Sequence, residues 1–333
     1  MTVVILNEVK NLIFDNMKYT DTGKKDTRSG FGVGLLKAGQ ANPDVVALTA
    51  DLKGSLKMDA FAAEFPERFI QCGIAEANMV GAAAGLAITG KVPFIGSFAE
   101  FVTGRVYDQI RQEVAYGSTN VKIASSHAGI TLGEDGATHQ TMEDVALMRA
   151  LPGMVVLNPC DFNQTVQATI AAAKYNGPVY LRFGRPSVPN FTPEDQPFEI
   201  GKAIVMNEGK DVTIFATGHT VWEALLAADA LEADGIKAEV IDIATIKPLD
   251  EAAVIESASK TGAVVVAEEH NMAGGLGEAI AGVLALNKPT PVEFVNGEDK
   301  FGQSGTPAAL MQAYGIDAPH IAEAAKKVLL RRK

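Results

Sequence analysis

The sequence has 333 residues, which is enough for two domains, and its 47% hydrophobic and 21% charged residues are typical of a soluble globular protein with large cores. The net charge of −11 argues against a nucleic-acid-binding surface, and no apolar run reaches the roughly 18 residues that a membrane span needs. The apolar N-terminal stretch carries Glu8 and Lys10 without a cleavage-site pattern, so we do not interpret it as a signal peptide. We expect a cytoplasmic protein that binds neither nucleic acid nor membranes.

The chain has two cysteines, Cys72 and Cys160, and both lie among apolar residues. Two thiols are too few for a metal cage. Their setting favours separate buried thiols over a disulfide.

Residues 1–25 show no clear periodicity and are predicted to be a variable N-terminal extension. From Arg28, short apolar runs alternate with longer amphipathic runs. The short runs predict buried strands: VVALTA (45–50), FIQCG (69–73), PFIGSF (93–98), VKIASS (121–126), MVVLNP (154–159) and PVYLRF (178–183). The longer runs predict helices: IAEANMVGAAAGLAITG, FVTGRVYDQIRQEVAYG, TMEDVALMRALPG and DFNQTVQATIAAAKYNG. This alternation predicts a parallel sheet covered by helices on both faces.

A proline-rich stretch, SVPNFTPEDQPFEIGKA (187–203), interrupts the alternation, and we place a domain linker there. The pattern restarts with DVTIFATG (211–218) and continues to two terminal helices. The predicted fold class is therefore α/β, with two doubly wound domains at residues 26–186 and 204–333, of which the second is smaller.

Glu76 stands in the first turn of a predicted helix built almost entirely of small and apolar residues. The simplest interpretation is a carboxylate favoured by the helix dipole. However, such an apolar helix is expected to be buried in the fold or against another subunit. A carboxylate at its start would then need a partner and could have a perturbed pKa.

Phe98 and Phe101 lie where a predicted strand ends and a helix begins. Core packing is the default interpretation of two phenylalanines. Because ligands bind at the carboxyl ends of parallel strands, the two rings could also form a stacking platform.

The stretch HAGITLGEDGATHQ, from His127 to Gln140, holds two of the five histidines and directly follows a predicted strand. A metal site using His127, Glu134, Asp135 and His139 lacks the closely spaced ligand pairs that zinc sites usually have. A mobile polar loop without chemistry is a second interpretation. We favour a third, in which the loop hydrogen-bonds a hydroxylated substrate, and we expect no metal site.

Three arginines, Arg28, Arg182 and Arg185, lie near predicted strand ends or loops, with Ser55 in a further loop. An arginine at a strand end can hold a phosphate through two hydrogen bonds, and surface ion pairing is the alternative. The chain has no phosphate-binding P-loop motif and no dinucleotide-binding glycine motif at a strand–helix junction. We interpret GGLGEAIAG (274–282) as a loop and helix start.

Taken together, these motifs resemble transketolase. The resemblance rests on DTRSGFG, LTADLKGS, QCGIAEANM, SFAEF, HAGITLGEDGATHQ, ALMRALPGMVVLNPCD and YLRFGRP. It covers roughly residues 26–333 and corresponds to the latter half of the family's full-length chain, a pyrimidine-binding domain followed by a C-terminal domain. The family's first half binds the diphosphate of thiamine diphosphate through a metal ion, using a GDG segment followed by an Asn, and we find no such element here.

The resemblance therefore implies the C-terminal subunit of a split transketolase of the pentose phosphate pathway, which transfers a two-carbon ketol unit between sugar phosphates. A separate N-terminal subunit would hold Mg²⁺ or Ca²⁺ with the diphosphate. Self-association across the pyrimidine-binding domain, which the apolar 74–90 helix favours, would give a heterotetramer.

Four residues match positions around the cofactor. Glu76 matches the glutamate that hydrogen-bonds N1′ of the aminopyrimidine ring. Phe98 and Phe101 match the aromatic residues around that ring, and Asp51 matches a residue near the cofactor.

A second set matches positions around the substrate. Asp135 and His139 match residues that hydrogen-bond sugar hydroxyls near the reacting carbons, and with Glu76 they are the catalytic candidates. The group that holds the substrate phosphate is matched by Arg28, Ser55, His127 and Arg182. Several positions depart from the family: Ala128 replaces a frequent Asp, Gly104 replaces a third aromatic residue, and Ala75-Glu76-Ala77 replaces a commoner Arg-Glu-His.

Three other functions stay open. The beta subunit of a 2-oxo-acid dehydrogenase's decarboxylase component has the same domain order, and deoxyxylulose phosphate synthase has a similar loop. A non-catalytic paralogue that binds a sugar phosphate belongs to a different class, although Glu76 argues against it.

Overall fold

The computed structural model describes residues 19–332, so most of the predicted N-terminal extension lies outside the described residues. No helix within that range is long and apolar enough to cross a membrane. Cys72 is partly buried and Cys160 is buried, and both are free thiols.

A seven-stranded sheet forms the centre of the first part of the chain. Its strands are β2 Val45–Thr49, β3 Phe69–Gln71, β4 Val92–Phe98, β5 Lys122–Ser126, β6 Val155–Leu157, β7 Val179–Arg182 and β12 Thr245–Lys247. Their spatial order is β12-β6-β7-β5-β4-β2-β3, and every pair is parallel except β12 with β6. The helices of this part are α1 Thr27–Ala41, α2 Asp59–Glu64, α3 Glu76–Ile88, α4 Ala99–Thr103, α5 Tyr107–Gln109, α6 Asp144–Arg149 and α7 Phe162–Lys174.

A five-stranded sheet forms the second part. Its strands are β9 Ile204–Asn207, β10 Val212–Ala216, β11 Ala238–Asp242, β13 Val264–Ala267 and β14 Val292–Val295. Their order is β14-β13-β10-β11-β9, with only β9 antiparallel. Its helices are α8 Thr220–Ala233, α9 Glu251–Thr261, α10 Leu276–Asn287, α11 Pro307–Ala313 and α12 Ala318–Leu329. Two largely parallel sheets covered by helices confirm the predicted fold class.

The structure corrects two of the predicted elements. The helix expected over residues 101–117 is three pieces: α4, α5 and a π-helix at Ile110–Tyr116, with the break at Gly104 and the non-helical Val106. The stretch KAEVIDIATIKP (237–248), which the alternating pattern assigns to the second domain, divides into β11 of the second sheet and β12 of the first. Periodicity reveals a strand but not its partner, so this crossing was not predictable.

The predicted linker, residues 187–203, contains the strand β8 Ser187–Pro189, which pairs antiparallel with β1 Lys24–Asp26. This two-stranded ribbon brings the start of the first part next to its end. The domain boundaries themselves stay a prediction.

Three clusters of buried apolar side chains form the core. One cluster covers the face of the seven-stranded sheet beneath α1 and includes Phe31 and Phe61. A second covers one face of the five-stranded sheet and includes Trp222. The third contains residues of both sheets, such as Leu48 of β2 and Phe215 of β10. The two parts of the chain therefore share one continuous apolar core.

The glycines of DTRSGFGVG have a packing role. Gly30 and Gly34 lie on the face of α1 that meets α7, and a Cβ atom at these positions would lie 2.5 Å from the Phe162 carbonyl oxygen and 2.6 Å from Thr169 Cβ. The absence of side chains lets the two helices approach closely, which fixes the direction in which α1 begins.

Asp161 connects the start of α7 to the segment that follows β8. Its fully buried carboxylate accepts hydrogen bonds from the Gln164 amide at 2.8 Å, the Phe191 amide at 2.8 Å, and the amide and hydroxyl of Thr192, both at 2.7 Å. Burial raises the pKa of Asp161, and these hydrogen bonds oppose that shift.

We expect Asp161→Ala to lower the free energy of unfolding by about 3 kcal/mol or more, because a buried donor left unpaired costs about 1–3 kcal/mol. Urea unfolding measures the change. The matched control is Asp250→Ala, which removes a partly buried N-cap with two accepted hydrogen bonds and should cost about 1 kcal/mol. Equal losses in the two variants would contradict this role of Asp161.

Candidate active site

The predicted site residues gather at one edge of the seven-stranded sheet. Asp51 and Ser55 follow β2, Phe98 ends β4, and His127 follows β5. The carboxyl ends of parallel strands meet at one edge, and ligands of such sheets bind there. The strand order places β4 between β2 and β5, which brings these loops together.

Four rings form a stacked group, which we call the ring cluster: Phe98, Phe101, His127 and His139. The Phe98 ring stacks on His127 with centroids 3.8 Å apart and on Phe101 at 5.8 Å. The His139 ring meets Phe101 edge-on at 5.4 Å. The two histidines of HAGITLGEDGATHQ therefore lie against the same aromatic platform, and Phe98 and Phe101 are only partly buried.

Glu76 is the first residue of α3 and is 4% exposed. Its Oε1 atom accepts a hydrogen bond from the half-exposed Arg105 at 2.9 Å, and the Arg105 guanidinium lies 4.1 Å from the centroid of Phe101. Arg105 thus joins the buried carboxylate to the ring cluster. Gly104, the position that lacks the family's third aromatic, is exposed just before it.

Two arginines lie against one histidine of the ring cluster, and we call these three side chains the basic group: Arg28, Arg185 and His127. Arg28 approaches His127 Nε2 at 3.5 Å and donates to the Ser55 carbonyl at 3.3 Å. Arg185 donates to the Leu132 carbonyl at 2.8 Å and pairs with Glu134 at 3.0 Å. Asp26 caps α1 through the Ser29 amide, so Arg28 occupies the first helical turn.

His127 is held as a neutral imidazole. Burial, together with the positive charges of Arg28 and Arg185, lowers its pKa to about 3. Its Nδ1 atom lies 2.7 Å from the Ser126 hydroxyl. The backbone of His127 has a φ of 59°, a left-handed conformation that is uncommon outside glycine and concentrates at functional sites.

Asp51 has a similar backbone, with a φ of 61°. Its amide donates to Gln71 Oε1 at 2.8 Å, and the same oxygen accepts from the Gly73 amide at 3.2 Å. Gln71 therefore fixes the loop of Asp51 relative to the turn that leads to Glu76. The side chain of Asp51 is exposed at this edge.

Residues 127–140, which we call the substrate loop, carry Asp135 on an exposed turn and His139 against the rings. Gln140 closes the loop, because its amide donates to the carbonyl groups of Ile130 at 3.0 Å and Gly133 at 3.2 Å. Ala128, where the family often has Asp, is 1% exposed. The loop is therefore packed at both ends and open at its tip.

The structure contradicts the prediction that Arg182 holds a phosphate. Its side chain is 4% exposed and pairs with buried Asp144, with Nε 2.7 Å from Oδ2 and Nη2 3.2 Å from Oδ1. Nη2 also donates to the Glu269 carbonyl at 2.9 Å, and Tyr180 donates to Asp144 at 2.6 Å. Arg182 ends β7 but points into the protein, which a strand-end position alone does not reveal.

Sequence reasoning named Arg185 among three candidate arginines but left it out of the phosphate-binding set, and it missed Arg105. Arg185, three residues beyond Arg182, is the arginine of YLRFGRP that lies with Arg28 and His127, close enough for its charge to lower the pKa of both. The sequence pattern predicted Arg105 only as one residue of a long helix, with no role at the site. The break of that helix at Gly104 is the signal that could have drawn attention to it.

Within residues 19–332, no three His, Cys, Asp or Glu side chains are grouped so that they could hold a metal ion. The glycine-rich GGLG stretch begins α10, and the buried carboxylate of Glu268 accepts the Leu276 and Gly277 amides at 2.7 and 2.8 Å. The amide groups at this helix start, where an external anion could otherwise bind, are therefore occupied by a side chain of the same protein.

Both halves of the chain match known families. The transketolase pyrimidine-binding domain matches residues 23–190, and the transketolase C-terminal domain matches residues 201–321. A Methanocaldococcus jannaschii protein named as a transketolase C-terminal section is 46% identical over 90% of this chain and 95% of its own length. The 6-deoxy-6-sulfo-D-fructose transketolase subunit of a Clostridium species is 46% identical over 90% of this chain and 92% of its own.

A solved structure described as a split-gene transketolase in an inactive β4 tetramer matches with a TM-score of 0.86 and 47% identity, over 93% of this chain and 100% of that chain. The fold thus defines a two-part α/β protein, and its two matched domains imply dependence on thiamine diphosphate. The chain belongs to the transketolase family, and the resemblance seen in its motifs is confirmed.

We expect the neutral His127 to make stability depend on pH. Its folded pKa of about 3 lies below the roughly 6.5 of an unfolded histidine, so the unfolded chain binds the extra proton between these values and stability falls as the pH drops from 6.5. His127→Gln removes this titration and should make the curve between pH 6.5 and 5 shallower by about 1.4 kcal/mol per pH unit. His320→Gln, at an exposed position, is the control. An unchanged slope in His127→Gln would show that His127 already carries a proton.

Proposed function

We propose that the chain is the C-terminal subunit of a split transketolase, which transfers a two-carbon ketol unit from a ketose phosphate to an aldose phosphate. The observation that carries the proposal is the position of the buried Glu76 carboxylate beside the ring cluster, with the basic group next to it. Thiamine diphosphate, when bound, supplies the carbon nucleophile that breaks and forms the carbon–carbon bond.

The residues fit the pyrimidine half of that cofactor. Glu76 is a buried carboxylate whose partner, Arg105, is half exposed and can leave. Phe101 offers a ring face that the same guanidinium now covers. We propose that Arg105 turns away, so that Glu76 accepts a hydrogen bond from the aminopyrimidine and Phe101 stacks on its ring, with Phe98 behind and Asp51 nearby.

The substrate would lie between the ring cluster and the substrate loop. His139 and Asp135 would hydrogen-bond the sugar hydroxyls next to the reacting carbons, and His139 would hold or move a proton there. The phosphate would lie at the basic group, near Ser55. Because His127 is neutral beside two arginines, a bound anion would raise its pKa and allow both ring nitrogens to donate.

We propose that a separate N-terminal subunit holds the diphosphate and its Mg²⁺ or Ca²⁺, and that two copies of this chain associate through the pyrimidine-binding domain in a heterotetramer. Exposed apolar side chains at the two ends of α3 support the second part, since Ile74 is 78% and Ile88 is 79% exposed. The similar Clostridium subunit, named for a sulfonated sugar, indicates that the anion of the substrate could differ among relatives.

The chain alone should be inactive, and it should transfer ketol units once its N-terminal subunit is added. In that complex, Glu76→Gln should lower kcat by about 100-fold or more, the size expected for a lost proton-handling group. Glu67→Gln, at an exposed position, is the control. Measured rates with a ketose phosphate and an aldose phosphate, against rates with pyruvate, separate transketolase from the 2-oxo-acid and deoxyxylulose phosphate alternatives. Unchanged turnover in Glu76→Gln would favour a paralogue that does not use this carboxylate.

Arg185→Ala should raise KM for a phosphorylated ketose by about 10- to 100-fold, the range expected when a charged hydrogen-bonding group is lost. KM for an unphosphorylated ketose should change much less, because in the proposed site the phosphate is the part of the substrate that Arg185 would contact. Arg331→Ala, which removes an arginine paired with Glu293 in the second part of the chain, is the control. Equal changes in KM for the two ketoses would show that Arg185 does not bind the substrate phosphate.

A further inference from the structure

The substrate loop is held by a side chain from the second part of the chain. Glu269 lies just after β13 and is 3% exposed. Its Oε1 atom accepts a hydrogen bond from the Thr131 amide at 2.6 Å. Thr131 lies between His127 and Asp135, so this contact fixes the loop within the stretch that joins the basic group to the sugar-facing residues.

The loop is shaped to receive this carboxylate. Gly129 has a φ of 79°, and a Cβ atom there would lie 2.3 Å from Glu269 Cδ. Only glycine allows both the conformation and the approach. The other carboxylate oxygen, Oε2, lies 3.7 Å from His219 Nδ1, and the same nitrogen lies 3.5 Å from the Thr131 hydroxyl. Burial lowers the pKa of His219, and the Glu269 charge opposes this.

The position of Thr131 affects the basic group through the neighbouring residue. The next residue, Leu132, accepts the hydrogen bond from Arg185 through its carbonyl oxygen. The Glu269 backbone carbonyl accepts from Arg182, which orients the buried Asp144 pair at the end of β7. Gln140 closes the loop at its far end and also donates to the Gln303 carbonyl at 3.0 Å. A displaced Thr131 would therefore shift Arg185 and the loop tip together.

We propose that Glu269 is a positioning residue for the sugar phosphate, acting through Thr131 on Arg185, Asp135 and His139. This rests on the proposed function. In this proposal Glu269 contacts neither the cofactor nor the sugar. Its carboxylate fixes the position of the loop whose residues contact the sugar phosphate. Loss of its carboxyl group should weaken sugar-phosphate binding without weakening thiamine diphosphate binding, because Glu76 and Phe101 lie on other elements.

Three variants test this: Glu269→Ala, Glu269→Gln and Glu268→Ala. Gln keeps an oxygen that can accept from Thr131, so it should restore the wild-type properties. Glu268 is the matched control, since its equally buried carboxylate accepts two backbone amides of α10 and does not contact the loop. If Glu269→Ala does not fold, Glu269→Asp takes its place, because the side chain shorter by one methylene cannot reach the Thr131 amide.

Two measurements are made on each variant. In the chain alone, amide hydrogen exchange over residues 129–140 should be at least 10-fold faster in Glu269→Ala and unchanged in Glu268→Ala. In the complex with its N-terminal subunit, KM for the ketose phosphate should rise at least 10-fold in Glu269→Ala, with thiamine diphosphate affinity unchanged. Unaltered exchange and KM in Glu269→Ala, or equal changes in Glu268→Ala, would overturn the positioning role. Absence of ketol transfer in the wild-type complex would instead overturn the proposed function, while the exchange result still decides whether Glu269 holds the loop.

Discussion

The parallel pairing of β2, β4, β5 and β7 is the constraint on which the site depends. Each of these strands ends at the same edge, so side chains that are distant in the sequence arrive together without long loops. The buried apolar strands fix this register, because a slip of one residue would turn apolar side chains out of the core. The ring cluster is a direct result, since Phe98 ends β4 and His127 follows β5 in the adjacent position.

Electrostatics then determine which of the gathered groups carry charge. Arg182 and Asp144 are buried together and satisfy each other, so they serve the fold at the junction. Arg28 and Arg185 stay partly exposed, beside a histidine that they help to keep neutral. The site therefore holds positive charge where an anion can approach from solvent, while the charges directly beneath it are already paired.

The alternation of apolar and amphipathic runs was enough to predict the two-sheet fold and nearly every strand of the first sheet, because both depend on local periodicity. Strand ends are visible in the sequence, so it was also possible to predict that most of the candidate residues gather at one edge of the sheet. Neither strand pairing nor side-chain direction was predictable. The strand β12 follows β11 in the chain but pairs with β6 of the first sheet. Arg182 points into the protein, whereas Arg185 points to the candidate site. Such choices depend on tertiary packing. Glu269 lies 138 residues from its partner Thr131, so no local pattern could have connected them.

The pairing of Arg105 with Glu76 bears on how the protein exists before its site is complete. A buried carboxylate without a partner would destabilise the folded state, and here the neighbouring Arg105 forms an ion pair with it. Half of the Arg105 side chain is in solvent, so it can depart by rotation about side-chain bonds, which for exposed residues takes picoseconds to nanoseconds. The Glu76 carboxylate is thus already paired in the chain described here, and exposing it to a ligand needs a side-chain rotation of Arg105 and no slow backbone rearrangement.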